Sequence, residues 1–449
     1  MIKMEQQEKE IAHKALEIAL KQGCSQVRIT LNSNTQSSYR VRDNNIDRIQ
    51  QAKGSSLYIQ LFNKGKYGSF STNRTQESEL ENFIKNGAQA TLLLTPDSYR
   101  SLPDKKLYYT GKKKNLNQYD KTVKSIDPSV KRKIAFEAAT EIFNSDSRII
   151  SVNSEYGDLD DYVYIVDSQG FEGESKQSSF SLSCECSVKG ERGSRPEGWW
   201  YETSLYFDSL VKKGVGKKAY NRAISMISPK KLKSGKYNMV LENNVSSRVV
   251  APIISALNGA SIQQNNSFLK GKIGEKVFNP NFQLSDSPHL LASFGSRYFD
   301  SEGIATKPMN IIEGGVVNTY FINTYYSKKL NIPVTIEGPS VPTCKYSLEP
   351  NTIVPNKDQA QILKECGTGV LVTGFNGGNS NSSTGDYSFG VEGFYFENGI
   401  ILYPVKEMNI TGNLITLWNN FVAAGTDPRG TSRWLIPTLA FEAVNFSGI

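Results

Sequence analysis

Histidine is almost missing from this chain of 449 residues: only His13 and His289 occur, and neither is followed by glutamate. A zinc peptidase site of the common kind sets two His on one helical face with a Glu beside them as general base. That arrangement is out of reach here. Cysteine is scarce and scattered, as Cys24, Cys184, Cys186, Cys344 and Cys366, an odd set that excludes a disulfide scaffold. No stretch reaches the roughly 18 uninterrupted apolar residues of a membrane span. The first ten residues lack the apolar core of a signal peptide, so the expected location is the cytoplasm. A long charge block is also missing: 52 Lys plus Arg against 44 Asp plus Glu leave +8. Nucleic-acid proteins gather their basic residues on one face or tail. The densest runs here, Lys112-Lys113-Lys114 and Lys230-Lys231 with Lys233, read as solvated loops, and no direct contact with nucleic acid is expected.

What is present is a folded protein of two or three domains. The length exceeds one ordinary core, and 21% charged with 10% aromatic residues is not a disordered composition. Apolar residues recur at helical spacing over 4–20 (Ile11, Ala12, Ala15, Leu16, Ile18, Ala19), and Gly23 stops the pattern. Stretches 26–31, 37–42, 46–50 and 56–62 read as an antiparallel meander broken by Asn-Ser-Asn and Asp-Asn-Asn turns, and 77–94 returns to helix. A polar connection, 101–127, leads to a helix over 129–143, strands over 149–154, 161–167 and 178–188, and a helix from about 209 to 227. Pro229, Gly235 and the lysines between them mark a boundary. Beyond it come a strand over 237–242, a helix over 245–260 and short β segments. The expected class is α+β, divided as 1–100, 101–228 and a β-rich 229–449.

Several local features suggest chemistry, and each has a plainer reading. Cys184-Glu185-Cys186 would share one face of a strand, yet two thiolates are too few for a closed zinc site, and two small buried side chains is the simpler reading. Asp300 and Glu302 read as a hydrogen-bonded turn before an acid/base pair. His289 reads as a surface or packing residue, and no nucleophile elbow stands near either His. Trp199-Trp200-Tyr201 reads as core or interface. The glycine-rich run 374–385 lacks the lysine of a phosphate-binding loop and reads as a turn between strands. As a peptide-contacting loop it would offer Asn376, Asn379 and Thr384.

Larger motifs carry a resemblance. They are Ser267-Phe268-Leu269-Lys270-Gly271-Lys272-Ile273-Gly274-Glu275, Phe299-Asp300-Ser301-Glu302-Gly303-Ile304-Ala305-Thr306 and Ile312-Glu313-Gly314-Gly315-Val316-Val317. They continue with Ser383-Thr384-Gly385-Asp386-Tyr387-Ser388-Phe389-Gly390-Val391-Glu392-Gly393-Phe394, Glu397-Asn398-Gly399 and Tyr403-Pro404-Val405-Lys406-Glu407-Met408-Asn409-Ile410-Thr411-Gly412-Asn413-Leu414. In this order and spacing, residues 237–449 resemble the carboxy-terminal domain of the TldD/PmbA family, called modulators of DNA gyrase and grouped with peptidases. TldD-type members of that family carry His-Glu-x-x-x-His on a helix before the Ser-Phe-Leu-like stretch, and a Cys near the carboxy terminus. Counting back from Ser267 places the motif near 250–255, where Val250, Ile254 and Ser255 stand; 425–434, the region of the Cys, has none. The chain thus resembles the TldE/PmbA type, which lacks the metal ligands. Independently, Val249, Val250, Ile253, Ile254 and Leu257 form an apolar stripe at helical spacing, with Pro252 in the early turns.

The resemblance implies a catalytically silent subunit, without a cofactor of its own, that pairs with a TldD-type zinc peptidase subunit as a homo- or heterodimer partner. Together they would process extended peptides, held by strand addition, with the zinc in the partner. Two alternatives stay open: a hydrolase with an atypical site, and a homo-oligomeric peptide-binding scaffold without a catalytic partner.

Overall fold

The structure, a computed structural model, describes residues 2–111, 115–349, 352 and 355–448, the first four by backbone alone. The Lys112-Lys113-Lys114 run lies outside the described residues. Among the described residues of the first 230 positions, one antiparallel sheet and its α-helices are built from α1 (Ile2–Lys21), β1 (Gln26–Arg42), β2 (Asn45–Asn63), β3 (Lys66–Thr72), α2 (Glu77–Leu93), α3 (Pro128–Thr140), β4 (Ile149–Asp167), β5 (Glu172–Val188), β6 (Glu197–Ser204) and α4 (Val215–Ser225). The strand order is β3-β2-β1-β4-β5-β6. The pairing of β1 with β4 makes one sheet of strands from both 1–100 and 101–228.

The strands are longer than the sequence pattern suggests. Segments 26–31 and 37–42 are one strand, as are 46–50 with 56–62 and 149–154 with 161–167. Asn32-Ser33-Asn34, read as a turn, is extended because β1 is hydrogen-bonded on both edges, to β2 and to β4. The true turn is Asp43-Asn44, with φ of 46° and 61°, the two left-handed residues that a tight hairpin needs.

Two apolar clusters share one face of the sheet. Near one end, α1 and α2 cover Val27, Ile29, Leu31, Tyr164 and Val166; near the other, α3 and α4 cover Tyr39, Val41, Val152, Tyr156 and Leu182. Between them runs a buried polar belt in which Lys131 Nζ lies 2.7 Å from Asp158 Oδ2 and donates to Ser37 Oγ at 3.0 Å. Cys184 and Cys186 are buried in the second cluster, and burial raises their thiol pKa values to about 12 and about 11. They are packing residues. His13 accepts or donates one hydrogen bond to Tyr164 OH at 2.8 Å.

The remaining elements are β7 (Gly235–Leu241), α5 (Ser247–Ala256), α6 (Gly259–Gln263), β8 (Phe282–Asp286), β9 (Met309–Glu313), β10 (Val316–Val317), α7 (Thr324–Leu330), β11 (Pro342–Tyr346), α8 (Gln359–Cys366), β12 (Gly369–Ser380), β13 (Asp386–Glu397), β14 (Ile400–Asn413), α9 (Leu414–Asn419), β15 (Phe421–Ala424) and β16 (Leu439–Ser447). One sheet runs β14-β13-β12-β7-β16-β15, and a β14–β16 pairing closes it into a barrel-like ring; β10-β9-β8-β11 form a smaller sheet. All neighbours are antiparallel except β7 and β12. Trp418 is fully buried, stacked on Phe282 with centroids 3.9 Å apart, and donates to Val249 O at 3.2 Å. That bond anchors α5 in the core. Pro252 lies inside α5, and the helix expected over 245–260 is instead two, because Leu257 ends the first and Asn258 caps the second.

The sheet and the carboxy-terminal part are joined by a buried ionic junction. Arg28 Nη2 donates to Asp167 Oδ2 at 2.9 Å, to Glu302 O at 2.8 Å and to Tyr108 OH at 3.4 Å, and Tyr108 donates to Asp167 at 2.7 Å. Arg28 and Asp167 are each 2% exposed. Asp300 and Glu302 form the turn beneath it. Asp300 Oδ1 accepts from Glu302 N and Ile304 N, and Glu302 Oε2 accepts from Thr324 N and Oγ1. Both carboxyls are occupied in holding backbone. Burial, with Glu337 and Glu302 nearby, raises the Asp300 pKa to about 7. His289 bonds to Thr306 Oγ1 at 3.0 Å and packs on Tyr298, as a packing residue should.

Candidate functional site

A cavity of about 630 Å³ lies where β6 and α4 meet the carboxy-terminal part. Glu197, Gly198 and Trp199 of β6 line it, with Arg222 of α4, Ser247, Arg248 and Ala251 of α5, Thr373, Gly374 and Phe375 of β12, Glu392 and Phe394 of β13, and Ile401 of β14. Helix α4 comes this close to β6 because residue 198 is glycine: a Cβ there would stand 2.3 Å from Ala219 O. Trp200 turns the other way and packs among the buried residues under α4. Trp199 is 58% exposed and stacks on Tyr201 at 5.2 Å. The run read as core or interface is therefore divided: Trp200 packs in the core and Trp199 is exposed.

The segment 425–434 pins this wall in place. Arg429 donates to Tyr201 O at 2.7 Å and to Glu202 Oε2 at 3.1 Å, and also reaches Asn244 Oδ1 ahead of α5. Burial alone would raise the Glu202 carboxyl, but Trp200, Lys218 and Arg429 outweigh it and hold the pKa below the ordinary value. Asp427 accepts from Thr438 N and Oγ1, and its carbonyl takes the Asn243 side chain. The position where a thiol ligand would be expected is thus a structural clasp.

The charges in the cavity are unequally satisfied. Arg222 forms a two-pronged pair with Glu242, both bonds at 3.0 Å, and donates to Thr373 O at 3.1 Å. Arg248 donates to Gly378 O at 3.1 Å and lies over the Phe389 ring. Among the described residues, Glu197 and Glu392 have neither a hydrogen bond nor an ion pair within bonding distance. Glu392 is half-buried, and burial raises its pKa against the opposing pull of Arg222. It sits at a bulge between β12, β13 and β14, over Gly374, where a Cβ would come within 2.6 Å of its Oε1.

The residues singled out in the sequence are dispersed. Val250 is fully buried, Ile254 is half-buried against the core, and Ser255 is exposed. They share no wall; Ala251, between them in sequence, faces the cavity. Asn376, Asn379 and Thr384 are exposed. The first two belong to β12, because Gly377 and Gly378 at φ of 110° and 90° let the chain bulge and continue pairing with β13. The run expected to be a turn is a turn only from Asn381 to Gly385, where Thr384 Oγ1 donates to Asp386 Oδ2. Glu392 stands within the motif over 383–394 and Arg429 within 425–434, yet neither was singled out as a site residue. Glu392 merely occupies an outward position of an alternating strand, and its surroundings come from β6, far away in sequence.

A metal does not fit this helix. Among the described residues no group of three or more His, Cys, Asp or Glu is placed to hold an ion, and α5 offers the cavity Ser247, Arg248 and Ala251, of which none is a good zinc ligand.

Comparison with known proteins accounts for the scaffold. Three consecutive parts of the PmbA/TldA metallopeptidase description match: domain 1 over residues 27–91, the central domain over 121–227 and the C-terminal domain over 234–448. The chain is 29% identical to the metalloprotease PmbA homolog of Haemophilus influenzae over 452 residues, covering 100% of this chain and 98% of the relative. A crystal structure from Bacteroides thetaiotaomicron that bears the name modulator of DNA gyrase superposes with a TM-score of 0.94 at 47% identity, over 98% of this chain and 99% of that one. TldE from Thermococcus kodakarensis shares the fold, with a TM-score of 0.85 at 16% identity, over 98% and 100% of the two chains. The chain belongs to the PmbA/TldD family of metalloprotease-related proteins.

Proposed function

We propose that this chain is a metal-free subunit that holds extended peptide for a TldD-type zinc peptidase subunit. The observation that carries this reading is the face of α5: it looks into a cavity of about 630 Å³ with Ser247, Arg248 and Ala251 and no set of metal ligands. The cavity is bordered by β6, an edge strand of its sheet, and an edge strand can bind an extended backbone by main-chain hydrogen bonds. Ile401 continues from the cavity wall to Ile400 and Leu402, which are 64% and 51% exposed. An apolar strip of that kind beside a cavity suits coverage by another subunit. This chain contributes binding and enclosure, while the partner contributes the hydrolytic centre.

The test is reconstitution. The purified chain alone is expected to carry no stoichiometric zinc or iron and to leave unfolded casein intact. Mixed with a TldD-type subunit, it is expected to raise cleavage, and the activity is lost when the partner's motif glutamate is replaced by glutamine. Metal at one equivalent together with cleavage by this chain alone would overturn the proposal in favour of a hydrolase with its own site. Unchanged cleavage on mixing would favour a scaffold without a catalytic partner.

A further inference from the structure

We propose that the cavity between β6 and β13 selects a lysine or arginine side chain of the bound peptide, with Glu392 as its specificity-determining residue; this rests on the peptide-holding role above. The ionisable groups of the wall leave a negative remainder. Arg222 is committed to Glu242 and Thr373, and Arg248 to Gly378 and Phe389. Glu392 and Glu197 are left with no partner of their own among the described residues. A half-buried carboxylate without a hydrogen bond is costly to the folded protein unless a ligand completes it.

The rest of the wall fits the stem of such a side chain. Trp199, Phe375, Phe394, Leu371, Ile401 and Ala251 line the same cavity as the two carboxylates with aromatic and aliphatic side chains. Lysine and arginine have that form, an apolar stem ending in a charge, and the Trp199 face adds attraction for a cation. A carboxylate-bearing peptide side chain would meet the same two glutamates and be repelled. Burial raises the Glu392 pKa, as expected of an acid waiting for a counter-charge. Gly374 is the permissive element: a side chain there would collide with Glu392 Oε1 and push the carboxylate out of position.

The test uses the full chain and three fluorescent decapeptides of one extended sequence whose central residue is Lys, norleucine or Glu. The Lys peptide is expected to bind about tenfold more tightly than the norleucine peptide, and the Glu peptide most weakly. Glu392→Gln should bring the Lys peptide to the norleucine level and leave norleucine binding unchanged, while Glu397→Gln, at the exposed end of the same strand, should change neither. Circular dichroism and melting verify that the variants are folded, and Gly374→Val gives an independent way to displace the carboxylate. Equal binding of the three peptides, unaffected by either variant, would overturn the selectivity while leaving peptide holding intact. If no peptide binds at all, the peptide-holding role itself is overturned.

Discussion

Two of the places where the amino-terminal sheet meets the carboxy-terminal part use similar residues to opposite ends. At the junction around Arg28, the Nη2 of the guanidinium, the Asp167 carboxylate and the Tyr108 hydroxyl bond to one another out of water, and the Glu302 carbonyl takes a further bond. In the cavity around Glu392, an equally good pair, Arg222 with Glu242, stands beside two carboxylates, Glu197 and Glu392, that have no hydrogen bond or close ion pair among the described residues. The first contact is closed within the chain but for the Arg28 Nε, which is buried without a hydrogen bond, and it holds the protein together. The second is incomplete, and its missing component can come only from outside the chain. Degree of satisfaction, more than residue type, separates a structural contact from a binding one.

The comparison can be broken most forcefully at Arg28. Arg28→Ala leaves Asp167 buried and unpaired and should lower the unfolding free energy by about 4 kcal/mol, measured by urea denaturation. Asp300 beneath it should show a pH signature. Its pKa rises from 3.8 to about 7 on folding, so its contribution is fully present below about pH 4 and is lost as pH rises through about 7. The melting difference between the protein and Asp300→Asn should therefore favour the native protein more at about pH 5 than at about pH 8, a change of up to about 3 kcal/mol. Arg429→Ala frees β6 from α5 and should cost about 2 kcal/mol, with faster amide exchange confined to residues 197–204.

Glu392 should behave in the opposite sense. Glu392→Gln removes a half-buried charge that accepts no hydrogen bond among the described residues and should stabilise the free protein by about 0.5 to 1 kcal/mol at neutral pH, while weakening the Lys peptide. Because the Glu392 pKa is raised, Lys-peptide binding should be lost on acidification earlier than an ordinary glutamate would allow, and norleucine binding should stay flat across the same titration. A destabilising Glu392→Gln would mean that this carboxylate belongs with the closed junction.

Much of this architecture is legible in the sequence, and the failures share a cause. The helix of 77–94, the meander of 26–62 and the α+β class follow from periodicity and turn residues. The long strands were split in reading because the sheet has a polar belt through its middle: Ser33, Ser37 and Asp158 point inward where a pattern reader expects apolar residues. The expectation at α5 rested on counting residues along a motif; the fold sends Val250 into the core and turns Ala251 toward the cavity. Glu392 was silent because its meaning comes from Trp199 and Glu197, contributed by a strand whose nearness no local pattern encodes.

The union of β1 with β4 also governs how the protein is made. Residues 26–42 wait for 149–167, and at roughly 5 to 20 residues per second of synthesis that interval lasts on the order of ten seconds. During it, β1 displays an unpaired edge, the template for mispairing with neighbouring nascent chains. The same polar middle that hides the strand from a reader of sequence then acts as a guard: Asn32, Ser33, Asn34 and Gln36 make the waiting edge a poor surface for sticky assembly. What is a seam between two apolar clusters in the finished fold is, during birth, the chain's protection from its own copies.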